Sequence, residues 1–251
     1  MNASQMLIGG SELMRYFGNV AFGYSFDTHR FKRTIGEKRM SIIPKLATSL
    51  NRRDEVPNQE LAAEIVKLGN LAAIAELIEN LANKNKSIRH DCIKTLYEIG
   101  YSKPKLISEH INAFLLLLNG NDNRMQWGAM TALGCIAGDR PGEIFAALPT
   151  IIDAADRGSV ITRDHCVNIL ITLSANTKYA DKTFPLLVEQ LLGCPTNQLP
   201  MYAENAMPVV GAPNKDRFVQ VLASRLDDME RKSGRKRVEK VIKKMQEPVR
   251  R

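Results

Sequence analysis

Histidine and cysteine, the side chains best suited to bind a metal or to act as a nucleophile, are few and scattered in this sequence. They are His29, His90, His110 and His165, and Cys92, Cys135, Cys166 and Cys194. No histidine has a second histidine or cysteine at metal-ligand spacing, and no C-x-x-C pair occurs. We therefore expect no metal, no disulfide and no cofactor, and we predict that the cysteines are small buried hydrophobic residues in a reducing compartment.

The sequence motifs that identify common enzymes are also missing. There is no G-x-x-x-x-G-K-[ST] or G-x-G-x-x-G for phosphate binding, no H-E-x-x-H for a zinc protease and no G-x-S-x-G for a serine hydrolase. We predict that the protein is not an enzyme, and we name no catalytic residue.

An apolar triad recurs along the chain at a nearly fixed period. In "DCIKTLYEIG" the triad is Cys92, Leu96 and Ile99, on one face of a predicted helix that ends at Gly100. Steps of 37 residues give Ala129, Leu133 and Ile136, then Cys166, Leu170 and Leu173, then Ala203, Met207 and Val210. A step of 31 residues backwards gives Leu61, Ile65 and Leu68, and a step of 35 residues beyond Ala203 gives Val238, Ile242 and Met245. This recurrence predicts stacked repeats.

Each of these helices is preceded by another predicted helix, so the unit is a first helix, a turn and a second helix. The first helices are "SIIPKLATSL", "LAAIAELIENL", "EHINAFLLLL", "AALPTIIDAA", "TFPLLVEQLL" and "RFVQVLASRL", and turns such as "NKNKS", "NGNDN" and "ADRGS" supply capping residues. We predict repeats at about 38–69, 70–100, 101–138, 139–176, 177–211 and 212–246. An aromatic segment, 1–37, precedes them, and a basic tail, 247–251, follows.

These features resemble the HEAT repeat family, in particular the short repeats of phycobilisome-lyase-like HEAT proteins. The resemblance rests on prolines inside the first helices, Pro44, Pro149 and Pro185. It also rests on "SIRHDCIKTL", where Ile88 and Arg89 match the family's Val-Arg near the start of the second helix.

The resemblance covers residues 38–246 or so and departs from the family at two points. Gln126 and Pro200 replace the arginine in other units, and the repeat is shorter than the ~40 to 47 residues of long HEAT units. The resemblance implies an all-α, right-handed α-solenoid of about six stacked helical hairpins (HEAT/armadillo-like), whose second helices line a concave groove.

Charge is distributed unevenly along the chain. Residues 1–53 carry a net charge of +6, residues 54–230 carry −6 and residues 231–251 carry +8. The overall charge of +8 therefore belongs to the two ends, while the centre is acidic.

The face of each second helix that turns away from the apolar triad is the candidate binding surface. Its predicted partner-binding residues are His90, Lys94, Tyr97, Trp127, Thr131, Asp164, Asn168 and Asn205. Trp127 is the first candidate, because tryptophan buries a large area and keeps one N–H donor, although it could instead cover the adjacent repeat. Asn168 and Asn205 share one register and could bind a peptide backbone, but asparagine is also common on solvated helices.

The two ends of the chain supply two more candidate surfaces. The N-terminal arm, with Tyr16, Phe17, Phe22, Tyr24, Phe26 and Phe31, either caps the first repeat or inserts into a partner or a second copy of the chain. The basic C-terminal face consists of Arg235, Lys236, Arg237, Lys240, Lys243 and Lys244. It is either the solvated side of a closing repeat or a contact for phosphates or an anionic protein.

These observations predict a non-enzymatic scaffold or adaptor that binds another protein through its groove and its termini. One alternative is a nucleic-acid-binding HEAT protein that uses its basic ends, and another is a bilin-lyase-like enzyme or chaperone. A glycosylase of the HEAT-like kind would need an acidic residue one turn after Trp127, where Thr131 stands. Without an apolar run of roughly 18 residues or a signal-peptide pattern, we expect a cytoplasmic protein that does not bind membranes.

Overall fold

Two kinds of helix alternate along the chain and form two layers. The computed structural model describes residues 41–247, and no β-strand occurs among them. Its α-helices are α1 Val56–Leu68, α2 Leu71–Glu79, α3 Lys86–Ser102, α4 Ile111–Leu118, α5 Asn123–Ile136, α6 Pro141–Ala146, α7 Leu148–Arg157, α8 Val160–Ser174, α9 Ala180–Gly193, α10 Leu199–Ala206, α11 Ala212–Ser224 and α12 Lys232–Gln246.

The second helices α1, α3, α5, α8, α10 and α12 each pack against the next one along the chain. The first helices α2, α4, α7, α9 and α11 form the other layer, where α4 contacts α7 and α9 contacts α11. Because each helix pair buries its apolar face against its neighbours, the core runs continuously through the stack. The predicted all-α solenoid of helical hairpins is the arrangement observed.

The polar turns cap the second helices as predicted. The side chains of Asn85, Asp122 and Ser159 accept hydrogen bonds from backbone N–H groups in the first turns of α3, α5 and α8. Gly69 follows the last residue of α1 as its C-cap, and its φ of 61° lies in the left-handed region that glycine tolerates best.

The residues of the recurring triad form the core in the middle of the stack, and fewer of them are buried towards its ends. All three residues of the triads that begin at Cys92, Ala129 and Cys166 are fully buried. In the first repeat, however, Leu61 and Ile65 are buried while Leu68 is 66% exposed. Leu68 is the last residue of α1, so its side chain extends past the end of the packed interface.

Two predicted first helices differ from expectation. The stretch "SIIPKLATSL" contains only a 3-10 turn, Ile43–Lys45, followed by further turns, because two backbone N–H groups in its middle bond to distant side chains instead of helical carbonyls. The N–H of Ala47 donates to Asn58 Oδ1 (3.0 Å) and the N–H of Thr48 donates to Asp91 Oδ2 (2.7 Å). The stretch "AALPTIIDAA" is split between α6 and α7, whose boundary at Ala147 lies just before Pro149, a residue without an N–H donor.

The cysteines are free thiols inside the stack, as predicted. Cys92, Cys166 and Cys194 are buried and Cys135 is half-buried. Burial raises the pKa of Cys92, Cys135 and Cys166 to about 12, so these thiols stay protonated and unreactive at neutral pH.

Candidate functional site

The predicted groove residues all lie on second helices, but only some reach the surface. Asn168 and Asn205 are exposed, His90, Trp127 and Asp164 are half-buried, and Lys94, Tyr97 and Thr131 are buried. The prediction that this register is free surface is wrong for the last three, because neighbouring second helices pack so closely that these positions lie between them. Thr131 is only 1% exposed, and its hydroxyl donates to the Trp127 carbonyl (2.8 Å). We call the remaining His90, Trp127, Asp164, Asn168 and Asn205 the second-helix face.

Lys94 lies at the centre of an ionic cluster that joins three second helices. Its Nζ is 2.7 Å from Glu55 Oε2 and 2.7 Å from Glu98 Oε1, and 4.8 Å from the centre of the Tyr97 ring. Burial by itself would lower the pKa of Lys94, but the hydrogen bonds to Glu55 and Glu98 outweigh it and raise the pKa. Glu55, at the start of α1, also accepts a bond from Arg124 of α5 (2.9 Å). The charge of Lys94 is therefore neutralised within the protein.

Three aromatic rings form a continuous patch beside this lysine. The ring centres of Tyr97 and Tyr101 are 5.8 Å apart in an edge-to-face arrangement, and those of Tyr97 and Trp127 are 5.7 Å apart. Tyr101 is 60% exposed and Trp127 is half-buried, so the patch presents apolar area to solvent. We call Tyr97, Tyr101 and Trp127 the aromatic cluster.

His90 connects α3 to the first turn of α5. Its Nε2 lies 3.0 and 2.9 Å from the two carboxylate oxygens of Asp122, which also accepts from the backbone N–H of Arg124 (3.1 Å). Burial disfavours the charged form of Asp122, but the bond and charge of His90, with the bonds from the Met125 N–H and Lys86, together outweigh it and hold the pKa of Asp122 below its ordinary value. His90 therefore braces two repeats, and its Nε2 is engaged.

Two further contacts join the later second helices. The Tyr202 hydroxyl of α10 donates to Asp164 Oδ1 of α8 (2.5 Å), beside a cleft of about 180 Å³. Arg237 of α12 donates to both carboxylate oxygens of Glu204 on α10 (2.9 and 2.6 Å). Polar cross-links thus occur at the contacts α1–α3, α3–α5, α8–α10 and α10–α12.

Asn168 and Asn205 are the predicted residues whose side chains remain available. They stand 37 residues apart at one register of α8 and α10. Neither side-chain amide makes a hydrogen bond within residues 41–247. Each amide can therefore offer one acceptor and two donors to a partner.

The basic C-terminal face divides into paired and unpaired cations. Arg235 donates to Glu239 (3.0 Å) and to the Leu226 carbonyl (3.2 Å), and Arg237 is held by Glu204. The four lysines of this face, Lys236, Lys240, Lys243 and Lys244, are exposed. Among the residues described, none of these lysines has an ion-pair partner.

The aromatic arm, including Tyr16, Phe17, Phe22, Tyr24, Phe26 and Phe31, lies outside the described residues, and so does most of the basic tail. Within residues 41–247, no group of three or more histidine, cysteine, aspartate or glutamate side chains is placed to hold a metal ion. None of the helices in this part of the chain combines the length and apolar character that crossing a membrane requires.

Sequence reasoning missed Glu55, Glu98, Tyr101, Asp122 and Tyr202. Two of them carried a local signal, because Glu98 and Tyr101 follow Lys94 and Tyr97 by four residues and so share their helix face. Asp122 was readable as a cap but not as the partner of His90, which is 32 residues away. Glu55 and Tyr202 act across repeats, and no short-range pattern identifies such contacts.

No protein-family model and no curated protein sequence matches the chain. Solved structures do match it, including a designed armadillo repeat protein, YIII(Dq)4CqI, with a TM-score of 0.57 and 14% identity over 81% of this chain and 99% of that one. Computationally designed armadillo repeat proteins for modular peptide recognition match with a TM-score of 0.59 and 15% identity over 81% and 99%. The designed protein YIII(Dq.V1)4CPAF, in complex with the peptide (KR)4, gives 0.59 and 15% over 82% and 99%.

At this level of identity the likeness concerns the fold alone. It confirms the predicted fold class, because these neighbours are armadillo repeat proteins and the described residues form the same kind of all-helical repeat solenoid. The chain is a helical repeat solenoid of the armadillo-like class.

Proposed function

We propose that the protein is a non-enzymatic scaffold that binds an extended segment of a partner protein along its second-helix face. The observation that carries this proposal is the pair of unengaged amides, Asn168 and Asn205, at one register of neighbouring helices. Packed helices lie about 8–10 Å apart, which corresponds to two or three residues of an extended chain. The two asparagines would therefore bond two peptide units of one bound strand that lie two or three residues apart.

The aromatic cluster supplies the apolar part of the same surface. Trp127 and Tyr101 expose ring area next to the ionic cluster of Lys94, where the neighbouring charges are already paired. A surface of this kind favours a large apolar or planar side chain of the ligand over a charged one, because a charged side chain would find no unpaired opposite charge nearby. The bound segment would thus place such a side chain against the cluster.

The fold neighbours support a peptide ligand at the level of the fold. One neighbour is described as built for modular peptide recognition, and another is in complex with the peptide (KR)4. The finer assignment to short HEAT repeats is also part of this proposal. It draws support from Arg89, whose guanidinium bonds the Asn83 carbonyl (2.8 Å) at the turn before α3, and from the prolines of the first helices.

The test begins with a random library of short peptides, from which those that bind the full-length chain are selected. Binding is then measured by the fluorescence of Trp127, the single tryptophan of the sequence. Because two hydrogen bonds contribute about 1–3 kcal/mol, the variant N168A/N205A should bind about 5- to 150-fold more weakly. The control N112A/Q220A removes two exposed amides from the first helices α4 and α11 and should bind like the wild type.

Equal loss of binding in both double variants would contradict the proposal, and so would unchanged binding by N168A/N205A.

The predicted alternative of nucleic-acid binding concerns a different surface, because the unpaired lysines lie on α12 and not on the second-helix face of α3, α5, α8 and α10.

A further inference from the structure

The solvent side of α12 carries a continuous row of lysines. At 100° per residue, Lys236, Lys240, Lys243 and Lys244 fall within one arc of about 100°, opposite the buried Val238 and Val241. The row is about 12 Å long, since each residue advances the helix by about 1.5 Å. We call these four residues the lysine stripe.

The lysine stripe differs from the two arginines of α12 because none of its lysines forms an ion pair among the described residues. Arg235 is bonded to Glu239 and Arg237 to Glu204, whereas the stripe lysines and Lys232 form no ion pair within residues 41–247. Lys240 has only a longer-range electrostatic interaction with Glu204. Glu247 is the one carboxylate that follows the last lysine before the described residues end. Several unpaired like charges along 12 Å attract a ligand that carries closely spaced negative charge.

We propose that the lysine stripe binds the phosphate backbone of double-stranded nucleic acid. A duplex carries about one charge per 1.7 Å of its axis, so about seven phosphate charges span the stripe. Lysine is depleted in protein–protein interfaces but is a regular partner of phosphates, which favours nucleic acid over an acidic protein. The stripe contains no aromatic side chain on which unpaired bases could stack, which favours a duplex over a single strand.

This binding has no sequence preference, because lysines on a solvated helix face reach phosphates and not base edges. It is also independent of the proposed peptide site. Neutralising the stripe should therefore leave peptide binding at the second-helix face unchanged.

The experiment measures binding of the full-length chain to a labelled DNA duplex by fluorescence anisotropy at several salt concentrations. Four phosphate contacts predict that affinity falls about 150-fold when the salt concentration rises fourfold. The variant K236Q/K240Q/K243Q/K244Q should lose most of the binding and most of this salt dependence. The matched control K67Q/K84Q/K103Q/K105Q makes the same change in net charge at exposed lysines outside α12 and should keep both.

Two competitors identify the ligand class. A single strand of the same length and a polyglutamate chain of the same charge should each compete at least about 10-fold less well than the unlabelled duplex. The proposal is overturned if polyglutamate or the single strand competes as well as the duplex. It is also overturned if the stripe variant, still helical and folded by circular dichroism, binds the duplex like the control, since the contact would then lie elsewhere in the chain.

Discussion

At the scale of single residues, Lys94 is a buried cation of the second helices with two carboxylate partners. Its side chain is 8% exposed and lies between two carboxylates, each 2.7 Å from the ammonium. Removing the charge of Lys94 leaves Glu98 without its ion-pair partner and leaves Glu55 with Arg124 alone.

We predict that Lys94→Met lowers the free energy of unfolding by about 1–3 kcal/mol, because the methionine keeps the packing of the stem but not the charge. Urea denaturation of the purified variant measures this. Lys86→Met is the control, because the Lys86 side chain is 64% exposed and its ion pair with Asp122 is longer, with Nζ 3.4 Å from Oδ2. This change should lower the free energy of unfolding by less than about 1 kcal/mol. Equal effects of the two changes would mean that burial of Lys94 is not what matters.

Two half-buried histidines should make the stability of the protein depend on pH. Burial lowers the pKa of His110 and His165 below the ordinary value of 6.5. As the pH falls, the unfolded chain therefore takes up protons at these histidines at a higher pH than the folded chain does. The contribution of the two histidines to the free energy of unfolding is present above pH 6.5 and is lost as the pH falls through the lowered pKa values of the folded state.

We expect the urea midpoint to fall between about pH 7 and about pH 5, and to fall less in H110Q/H165Q. Carboxyl groups ordinarily titrate at about pH 4, below this window, and the pKa of Asp122, the partner of His90, is lower still. An identical pH profile for the double variant and the wild type would refute the assignment to these histidines.

At the scale of elements, a buried hydrogen-bond network takes the place of a helix in the first repeat. Asn58 and Asp91 are both buried; Asn58 Nδ2 donates to Asp91 Oδ1 (2.9 Å), and both side chains accept from the turns around Thr48. Ser41 and Ile42 bond the carboxylate of Glu76 at the other end of the segment. Side chains thus order a stretch that has only one 3-10 turn of its own.

We predict that Asp91→Ala lowers the free energy of unfolding by about 1–3 kcal/mol, because it leaves the Thr48 N–H and the Asn58 amide without their acceptor in a buried site. Thermal unfolding by circular dichroism gives the size of the effect. In the control Glu64→Gln, an exposed ion pair with Lys45 is removed, and a change below about 0.5 kcal/mol is expected.

At the same scale, the sequence predicted the second helices better than the first ones. Their triads, caps and terminal glycine follow local rules that the chain states directly, as at Asn85 and Gly69. The segment 41–50 looked helical by its apolar pattern, but the competing acceptors come from Asn58 and from Asp91, up to 43 residues away. The predicted groove residues do lie on second helices, yet the burial of Lys94 and Tyr97 depends on how closely the repeats stack, which no local pattern encodes.

Across the whole solenoid, a peptide can bind along the second helices only if these helices pack closely enough to form one surface. Gly128 of α5 is a point of close approach, since a methyl group there would lie 2.7 Å from Cγ1 of the buried Ile93 on α3. Ile93 is almost fully enclosed and has little room to move.

We predict that Gly128→Ala destabilises the protein by about 1–3 kcal/mol, although alanine is the better helix former. The control is Gly193→Ala, where a methyl group would meet nothing within 4 Å, so a neutral or slightly stabilising effect of up to about 1 kcal/mol is expected. Denaturant unfolding compares the two. If Gly128→Ala were neutral, the contact between α3 and α5 would be looser than described.

The central claim is that a bound peptide lies along the second helices, and photo-crosslinking tests it most directly. A selected peptide that carries a photoreactive residue is irradiated with the full-length protein, and the attached residues are identified by mass spectrometry. We predict attachment on α3, α5, α8 and α10, close to Trp127, Asn168 and Asn205. Attachment confined to the first helices α4, α9 and α11, or to residues 1–40, would contradict the account.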